Sequence, residues 1–244
     1  MNLIVKTKSI LQKILGFDNY LFFISVLKYG SLEFSKKQEG IFKFIKLIPE
    51  NTHVLDIGAN IGVVTATIAK NAKVFVHSFE PIPANAKNVK RLTSFLGVKN
   101  TSLYQTALGR NQGEVEMLTP RQNNVLYEGY SHIINGETQQ NDGLRFKVKI
   151  DRLDDLFHTK DIAVSAIKID VENHELEVLQ GGVELIKRNR PIIYCELWNN
   201  HIRFEVISFL NLLGYRCYVD NGRELKETDG SNGLDLDFFF LHEN

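Results

Sequence analysis

The chain has 244 residues, 43% of them hydrophobic, which is enough for one large core and does not demand a second domain. Its 29 basic and 29 acidic residues cancel, and this balance excludes the overall positive field that draws proteins to nucleic acid or anionic lipid. The two cysteines, Cys195 and Cys217, each stand inside an apolar stretch, a pattern that excludes a disulfide framework.

The first 50 residues are basic and apolar, and we predict that they form a helical extension of a domain that spans residues 51–244. One face of a helix is indicated by the spacing of Ile41, Phe44, Ile45 and Ile48. The apolar run at residues 20–27 is far shorter than the roughly 20 residues of a membrane span, and no small-residue cleavage site follows it. We therefore expect a cytoplasmic protein without a transmembrane segment or a nucleic-acid partner.

From residue 52, apolar strands alternate with amphipathic helices. The predicted strands are HVLDI, KVFVHSF, SLYQTAL, GEVEML, RFKVKI, VSAIKID, PIIYCEL, YRCYV and LDLDFFFL. Helices are predicted over VVTATIAK and on the stripes Val89–Leu92–Leu96, Leu176–Leu179–Val183–Ile186 and Ile202–Val206–Phe209–Leu213. The polar residues 119–144 interrupt this rhythm, and we predict that they form a lid over the substrate. The pattern favours a doubly wound, Rossmann-like α/β fold with a mostly parallel sheet and an antiparallel last strand.

The segment Asp56-Ile-Gly58-Ala-Asn60-Ile-Gly62 lies between an apolar strand and an apolar helix, as a nucleotide-type turn does. Gly58 permits a sharp turn, Gly62 permits close helix packing, and Asn60 tolerates left-handed geometry. The carboxylate of Asp56 is expected near a cationic or amine-bearing ligand, because it would repel a pyrophosphate. Glu80 follows the second strand, where a carboxylate accepts both hydroxyls of an adenosine ribose. Together these residues favour S-adenosylmethionine over a dinucleotide.

The chain resembles the FkbM-type methyltransferases over roughly residues 40–242. The matching segments, in the family's order, are VLDIGANIGVVT, SFEPIPANAKNVKRL, ALG, IKIDVENHELEVLQGG, RPIIYCEL and DFFFL. The resemblance implies a class I methyltransferase fold with a seven-stranded sheet, S-adenosylmethionine as methyl donor, and a hydroxyl acceptor on a sugar, glycan or natural product. It does not identify that acceptor.

Matched residue by residue, the resemblance implies that Asp170 and six other residues bind the cofactor. These are Asp56, Gly58, Asn60, Gly62, Glu80 and Ala107. Asp170, Glu172 and Glu175 match the IDVE-x-x-E stretch, and the chain departs at Asn173, where the family usually has Gly. Asn adopts left-handed geometry, so we expect the loop to keep its shape.

The candidate catalytic residues are Asp170, Glu172, His174 and Glu196. In a parallel sheet, strand ends face the crevice, and this places Asp170 and Glu196 beside the transferred methyl group. Asp170 is the preferred general base, ahead of His174 and His201, and Glu175 is expected to cap a helix.

Two groups of aromatic and polar side chains are candidates for acceptor contacts. Trp198, Asn199 and Asn200 either contact a sugar or provide a core side chain and a helix cap. In the polar insertion the candidates are Tyr127, Tyr130 and His132.

Three alternatives stay open at this point. Asp170 and Glu196 could hold a divalent cation such as Mg²⁺, but two carboxylates make a thin ligand set, and we predict transfer without a metal. An NAD-dependent oxidoreductase is disfavoured by the G-x-N-x-G turn and by the acid before it. A non-catalytic cofactor-binding subunit is disfavoured because Asp56 and the IKIDVE stretch are intact.

Overall fold

The computed structural model describes residues 3–32, 39–134 and 142–243, and the statements below concern these residues. The N-terminal helices are α1 (Leu3–Leu15), α2 (Phe17–Ser31) and α3 (Glu39–Leu47). The helices that follow are α4 (Val63–Asn71), α5 (Pro83–Phe95), α6 (Leu153–Phe157), α7 (Glu175–Gln180), α8 (Val183–Asn189) and α9 (His201–Leu212). In the described part of the chain, no helix is both long and apolar enough to cross a membrane.

The main sheet has the strand order β12-β11-β13-β10-β9-β1-β2-β3. Its strands are β1 (His53–Ile57), β2 (Phe75–Phe79), β3 (Thr101–Tyr104), β9 (Val164–Ile169), β10 (Ile192–Glu196), β11 (Tyr215–Asp220), β12 (Leu225–Glu227) and β13 (Asp237–His242). The expected mostly parallel sheet with an antiparallel last strand is confirmed, because β13 runs antiparallel between β10 and β11. The three-residue β12 joins the edge, so the sheet has eight strands instead of the seven expected.

A second, smaller sheet lies between β3 and β9 in the chain. It contains β4 (Ala107–Leu108), β5 (Gly113–Gln122), β6 (Val125–Leu126), β7 (His132–Ile133) and β8 (Gly143–Asp151). β5 pairs with β8 along eight registered positions, and β6 and β7 pair with β5. The predicted lid, residues 119–144, thus begins within β5 and contains β6 and β7. Its residues 135–141 lie outside the described part of the chain.

Two sequence predictions about single elements were wrong. SLYQTAL is not one strand: β3 belongs to the main sheet and β4 to the second sheet. The stripe from Leu176 to Ile186 is not one helix, since α7 ends before Gly181 and α8 begins at Val183. A side chain at Gly181 would lie 2.1 Å from the carbonyl oxygen of Gly109, so the glycine permits close packing on the loop after β4.

Apolar layers cover both faces of the main sheet. One face packs against α6 to α9, with Phe157, Leu179, Val206 and Leu210 in its core. The other face packs against α3 and α4, where Ile41, Phe44, Ile45 and Ile48 are buried as predicted. Helices α1 and α2 form a third cluster with α4 and α5. Both cysteines are buried and free.

Candidate functional site

Two connected depressions lie at the carboxyl ends of β1, β2 and β9. The inner cavity is lined by the turn after β1, the end of β2, the start of α5, β4, the loop after β9 and residues 128–131. The outer groove has a volume of about 640 Å³ and is lined by the end of β5, by β7 and by the same loop after β9. Three residues, Ile133, Glu172 and His174, line both depressions.

The turn after β1 exposes its backbone at the cavity wall, and hydrogen bonds hold that backbone in place. Gly58 has φ +78°, and a side chain there would lie 1.9 Å from the backbone oxygen of Asp170. The amides of Gly58 and Ala59 both donate to the Phe79 carbonyl, at 3.1 and 3.0 Å. Asn60 has φ +50°, the left-handed geometry expected of it, and Gly62 caps α4. The turn is thus tied to the end of β2 and leaves room for a ligand against the backbone.

Glu80, the predicted ribose acid, lines the inner cavity. Its two carboxylate oxygens accept the amides of Asn60 at 2.8 Å and of Ile82 at 2.9 Å. Burial raises the pKa of Glu80 to about 7, although these amide bonds oppose the shift. Its neighbour Asn85 is buried, lines the same cavity, and has a side-chain oxygen without a hydrogen-bond partner. Such an oxygen can accept a hydrogen bond from a ligand.

Asp56 does not lie where the sequence analysis placed it. Its side chain is fully buried and is not part of the wall of either depression. One carboxylate oxygen accepts the hydroxyl of Thr65 at 2.5 Å, and the other lies 3.7 Å from the ammonium of Lys168. Asp56 therefore supports the site from beneath, because its carboxylate balances a buried lysine.

Lys168 connects the turn after β1 to the loop after β9. Its ammonium donates to the carbonyl of Gly58 at 3.0 Å and to the carboxylate of Asp170 at 3.3 Å. Burial lowers the pKa of Lys168, but Asp170 and Asp56 outweigh that effect and raise it above its ordinary value. The lysine is therefore charged and holds Asp170 at the inner cavity, where Asp170 was predicted.

The loop after β9 has a strained backbone. Glu172 and Asn173 both have left-handed geometry, with φ +53° and +69°. The expectation that Asn173 tolerates this geometry is confirmed. Glu175 accepts the amides of Val171 and Asn173, at 3.4 and 3.1 Å, and both residues precede α7, so these bonds brace the loop and are not the helix cap that was expected. The loop is held in shape by one carboxylate below it while Glu172 faces the cavity.

The carboxyl groups near this loop repel one another. Burial raises the pKa of Glu172 to about 8, and the charges of Asp170 and Glu196 add to the shift. Burial likewise raises the pKa of Glu196 to about 7, with help from Asp170 and Asp237. Glu196 stands opposite Asp237 at the end of β10, outside the walls of both depressions. Of the predicted catalytic acids, the cavity wall thus brings together Asp170 and Glu172 but not Glu196.

The histidines differ in their access to the site. His174 lines both depressions, burial lowers its pKa, and its buried Nε2 atom has no hydrogen-bond partner. His201 is exposed at the first turn of α9 and lines neither depression. Ala107 lines the inner cavity, as the resemblance implied. A neutral His174 with a free nitrogen is therefore available where the two depressions meet.

The outer groove contains two of the expected acceptor contacts. Tyr130, with 54% of its surface exposed, and His132 line the groove. Tyr127 lines neither depression and lies under the ammonium of Lys8. Asn200 caps α9 by accepting the Ile202 amide at 3.0 Å, while Trp198 is 44% exposed. The capping alternative thus holds for Asn200, and the core alternative fails for Trp198.

Sequence reasoning missed three contributors to the site. Lys168 stands inside the quoted IKID segment, and a lysine in an otherwise apolar strand was the available signal. Asn85 lies within the family-matching segment SFEPIPANAKNVKRL, and Glu128 lies within the predicted lid, but nothing in either stretch singled out these two residues. Among the described residues, no group of three or more His, Cys, Asp or Glu side chains is arranged to hold a metal ion.

Comparison with known proteins identifies the family. A family model described as the methyltransferase FkbM domain matches residues 56–217. No curated protein matches the chain. Among solved structures, the methyltransferase FkbM from Methylobacillus flagellatus KT is 16% identical with a TM-score of 0.49, over 80% of this chain and 45% of that one. This chain therefore aligns with less than half the length of that structure.

Two further structures are similar at the same level. The rRNA methylase from Streptococcus thermophilus is 11% identical with a TM-score of 0.49, over 86% of this chain and 96% of that one. A SAM-dependent methyltransferase from Aquifex aeolicus is 16% identical with a TM-score of 0.45, over 83% and 86%. The family model covers well over half of the chain. The chain belongs to the FkbM methyltransferase family, and this membership implies S-adenosylmethionine as its methyl donor.

Proposed function

We propose that the protein is an O-methyltransferase that transfers the methyl group of S-adenosylmethionine to a hydroxyl of a sugar, glycan or natural product. The observation that carries this proposal is the junction at Glu172 and His174, which line both the inner cavity and the polar outer groove. A donor in the cavity and an acceptor in the groove would meet at these side chains. Metal-independent transfer remains part of the proposal.

The residues that line the inner cavity support cofactor binding there. Both Glu80 and Asn85 line this cavity; in this proposal Glu80 accepts ribose hydroxyls, and the unpaired side-chain oxygen of Asn85 accepts a hydrogen bond from the ligand. The bare backbone at Gly58 admits a ligand where a side chain would not fit. When bound, S-adenosylmethionine supplies an electrophilic methyl group on a cationic sulfonium. The carboxylate of Asp170 favours that cation, whereas it would repel a pyrophosphate.

The outer groove suits a polyhydroxylated acceptor. Its wall combines hydrogen-bonding side chains with the exposed ring of Tyr130, and polar groups with an aromatic face are what a sugar ring contacts. The cation Arg121 is matched there by the acid Asp142, whose carboxylate lies 3.9 Å away. This balance does not concentrate positive charge, which supports a neutral acceptor over a nucleic acid.

We assign the proton transfer to Glu172 in preference to Asp170. In the reaction a bond forms between the acceptor oxygen and the methyl carbon, the carbon–sulfur bond breaks, and the hydroxyl proton passes to a base. A carboxylate with a pKa of about 8 is better matched to that task near neutral pH than an ordinary carboxylate. Asp170, held by Lys168, then orients the acceptor hydroxyl.

The test is a transfer assay with isotopically labelled S-adenosylmethionine and a panel of sugars, oligosaccharides, phenolic natural products, amines and RNA. We expect labelled methyl ethers from hydroxyl acceptors, with rates unchanged by EDTA. Labelled amine or RNA products would contradict the acceptor class. Loss of activity in EDTA and its recovery with Mg²⁺ would contradict metal independence and direct attention to Asp170 and Glu196. Binding of NAD in place of S-adenosylhomocysteine would contradict the cofactor.

A further inference from the structure

Residues 125–131, here called the strap, close one side of the inner cavity. Glu128, Gly129 and Ser131 line the cavity, and a side chain at Gly129 would lie 3.7 Å from the side-chain nitrogen Nδ2 of Asn60. The strap thus faces the turn after β1 across the space that the cofactor is proposed to fill. Its position determines the width of that space.

The strap is joined to β5 of the second sheet at both of its ends. The amide of Tyr127 donates to the carbonyl of Pro120 at 3.0 Å, and the hydroxyls of Ser131 and Thr119 lie 2.8 Å apart. β6, at the start of the strap, pairs with β5 at only two registered positions. The strap then passes through a short 3₁₀ turn at Glu128–Tyr130. Between these points of attachment, a short segment is held more firmly when contacts from elsewhere in the chain reach it.

Those contacts come from the N-terminal helices. The side-chain amide of Gln12 in α1 donates to the carbonyl of Leu126 at 2.9 Å and accepts the amide of Leu126 at 3.0 Å. It therefore bonds both polar groups of one peptide residue, as a neighbouring strand would. In α2 the ammonium of Lys28 lies 3.8 Å from Glu128. Because this ion pair is half exposed, it holds the strap less strongly than the two hydrogen bonds of Gln12 do.

We propose that Gln12 is a positioning residue for methyl transfer: its two hydrogen bonds to Leu126 hold the strap against the cofactor cavity. The inference rests on the proposed cofactor binding in the inner cavity. It gives the N-terminal extension, residues 1–50, a role in cofactor affinity although none of α1 lines the cavity.

The test compares Gln12→Met with Lys13→Met in the full chain. Methionine keeps the length of the Gln12 side chain and removes both hydrogen bonds, whereas Lys13 is an exposed neighbour on the same helix. We expect amide hydrogen exchange in residues 126–129 to become about five- to tenfold faster in Gln12→Met, the scale of a lost hydrogen bond. The dissociation constant of S-adenosylhomocysteine, measured by calorimetry, should rise by a similar factor. Lys13→Met should change neither quantity.

A third variant, Gln12→Glu, keeps the bond to the Leu126 amide but not the bond to its carbonyl, and it should fall between the other two. Unchanged exchange in the strap of Gln12→Met would overturn the proposal. So would faster exchange with unchanged ligand affinity, because the strap would then not serve the cofactor. If the wild-type protein failed to bind S-adenosylhomocysteine, the proposed cofactor site would fail instead, while exchange without ligand would still decide whether Gln12 holds the strap.

Discussion

The turn after β1 and the loop after β9 occupy equivalent places at the ends of neighbouring parallel strands, yet they are built differently. The turn uses Gly58 where the backbone is left-handed, and its amides are bonded to β2. The loop places Glu172 and Asn173 in left-handed geometry, which costs of order 1–3 kcal/mol for each such residue. It also gathers carboxyl groups that repel one another. Fixed backbone thus lines the proposed cofactor site, and strain and charge collect where the chemistry is proposed.

The largest effect should come from breaking the turn. Gly58→Ala would bring a methyl group against the Asp170 carbonyl, so we expect a loss of more than about 3 kcal/mol in the free energy of unfolding. Gly97→Ala is the matched control, because Gly97 also has positive φ, at +68°, but nothing lies within 4 Å of the added atom. The control should lose only about 1 kcal/mol. Equal losses in urea titrations of the two variants would mean that the close contact is unimportant.

Removing the carboxylate that the loop presents should slow the chemistry. We expect Glu172→Gln to lower kcat by about 10²-fold or more, the scale of general-base loss, with little change in S-adenosylhomocysteine affinity. In the wild type, kcat should rise with pH towards about 8 as Glu172 ionises, and the variant should lose this rise. Asp170→Asn is the comparison. If that variant, and not Glu172→Gln, abolished the pH dependence, Asp170 would be the base, as the sequence alone suggested.

A smaller effect is expected where the cofactor is held. Glu80→Gln keeps the shape of the side chain but loses its charge, so S-adenosylhomocysteine affinity should weaken by about 1–3 kcal/mol. The exposed Glu50→Gln should leave the affinity unchanged. Calorimetry with both variants measures the difference, and equal affinities would exclude Glu80 from the site.

The smallest expected effect concerns stability and pH. The folded-state pKa of Glu172 lies above its ordinary value, so the folded protein binds a proton between about pH 4.5 and 8 that the unfolded chain releases. The contribution of Glu172 to the free energy of unfolding is therefore largest below pH 4.5. It falls as the pH rises from about 4.5 to 8. Glu172→Gln should flatten that decline by on the order of 1 kcal/mol in urea unfolding. Exposed Glu116→Gln should not change the slope.

The sequence predicted the turn well because its determinants are local. Gly58 and Asn60 are residues that a left-handed turn requires, and Glu80 stands at a fixed spacing after the next strand. The strands β1, β2, β9 and β10 were found for the same reason, since a short apolar run needs no distant information.

The sequence failed where distant contacts decide the outcome. The orientation of Asp56 depends on Lys168, more than 100 positions along the chain, and a pattern around Asp56 cannot reveal that pairing. The break at Gly181 depends on how closely the loop after β4 approaches. The strap was assigned only to a polar insertion, because its contacts with α1 leave no periodic signal. Long-range pairing of this kind is not encoded in local propensity.

The packing of α1 and α2 has a consequence for the order in which the molecule is completed during synthesis. These helices leave the ribosome before the elements that they pack against, because α4 and α5 follow more than 30 residues later and Leu126 follows Gln12 by 114 positions. Until then their apolar faces have no native surface to cover them, and contacts so distant in sequence form slowly. During translation, the N-terminal helices therefore reach their native packing only after the strap has been synthesised. Until then their uncovered apolar faces make the nascent chain prone to aggregation.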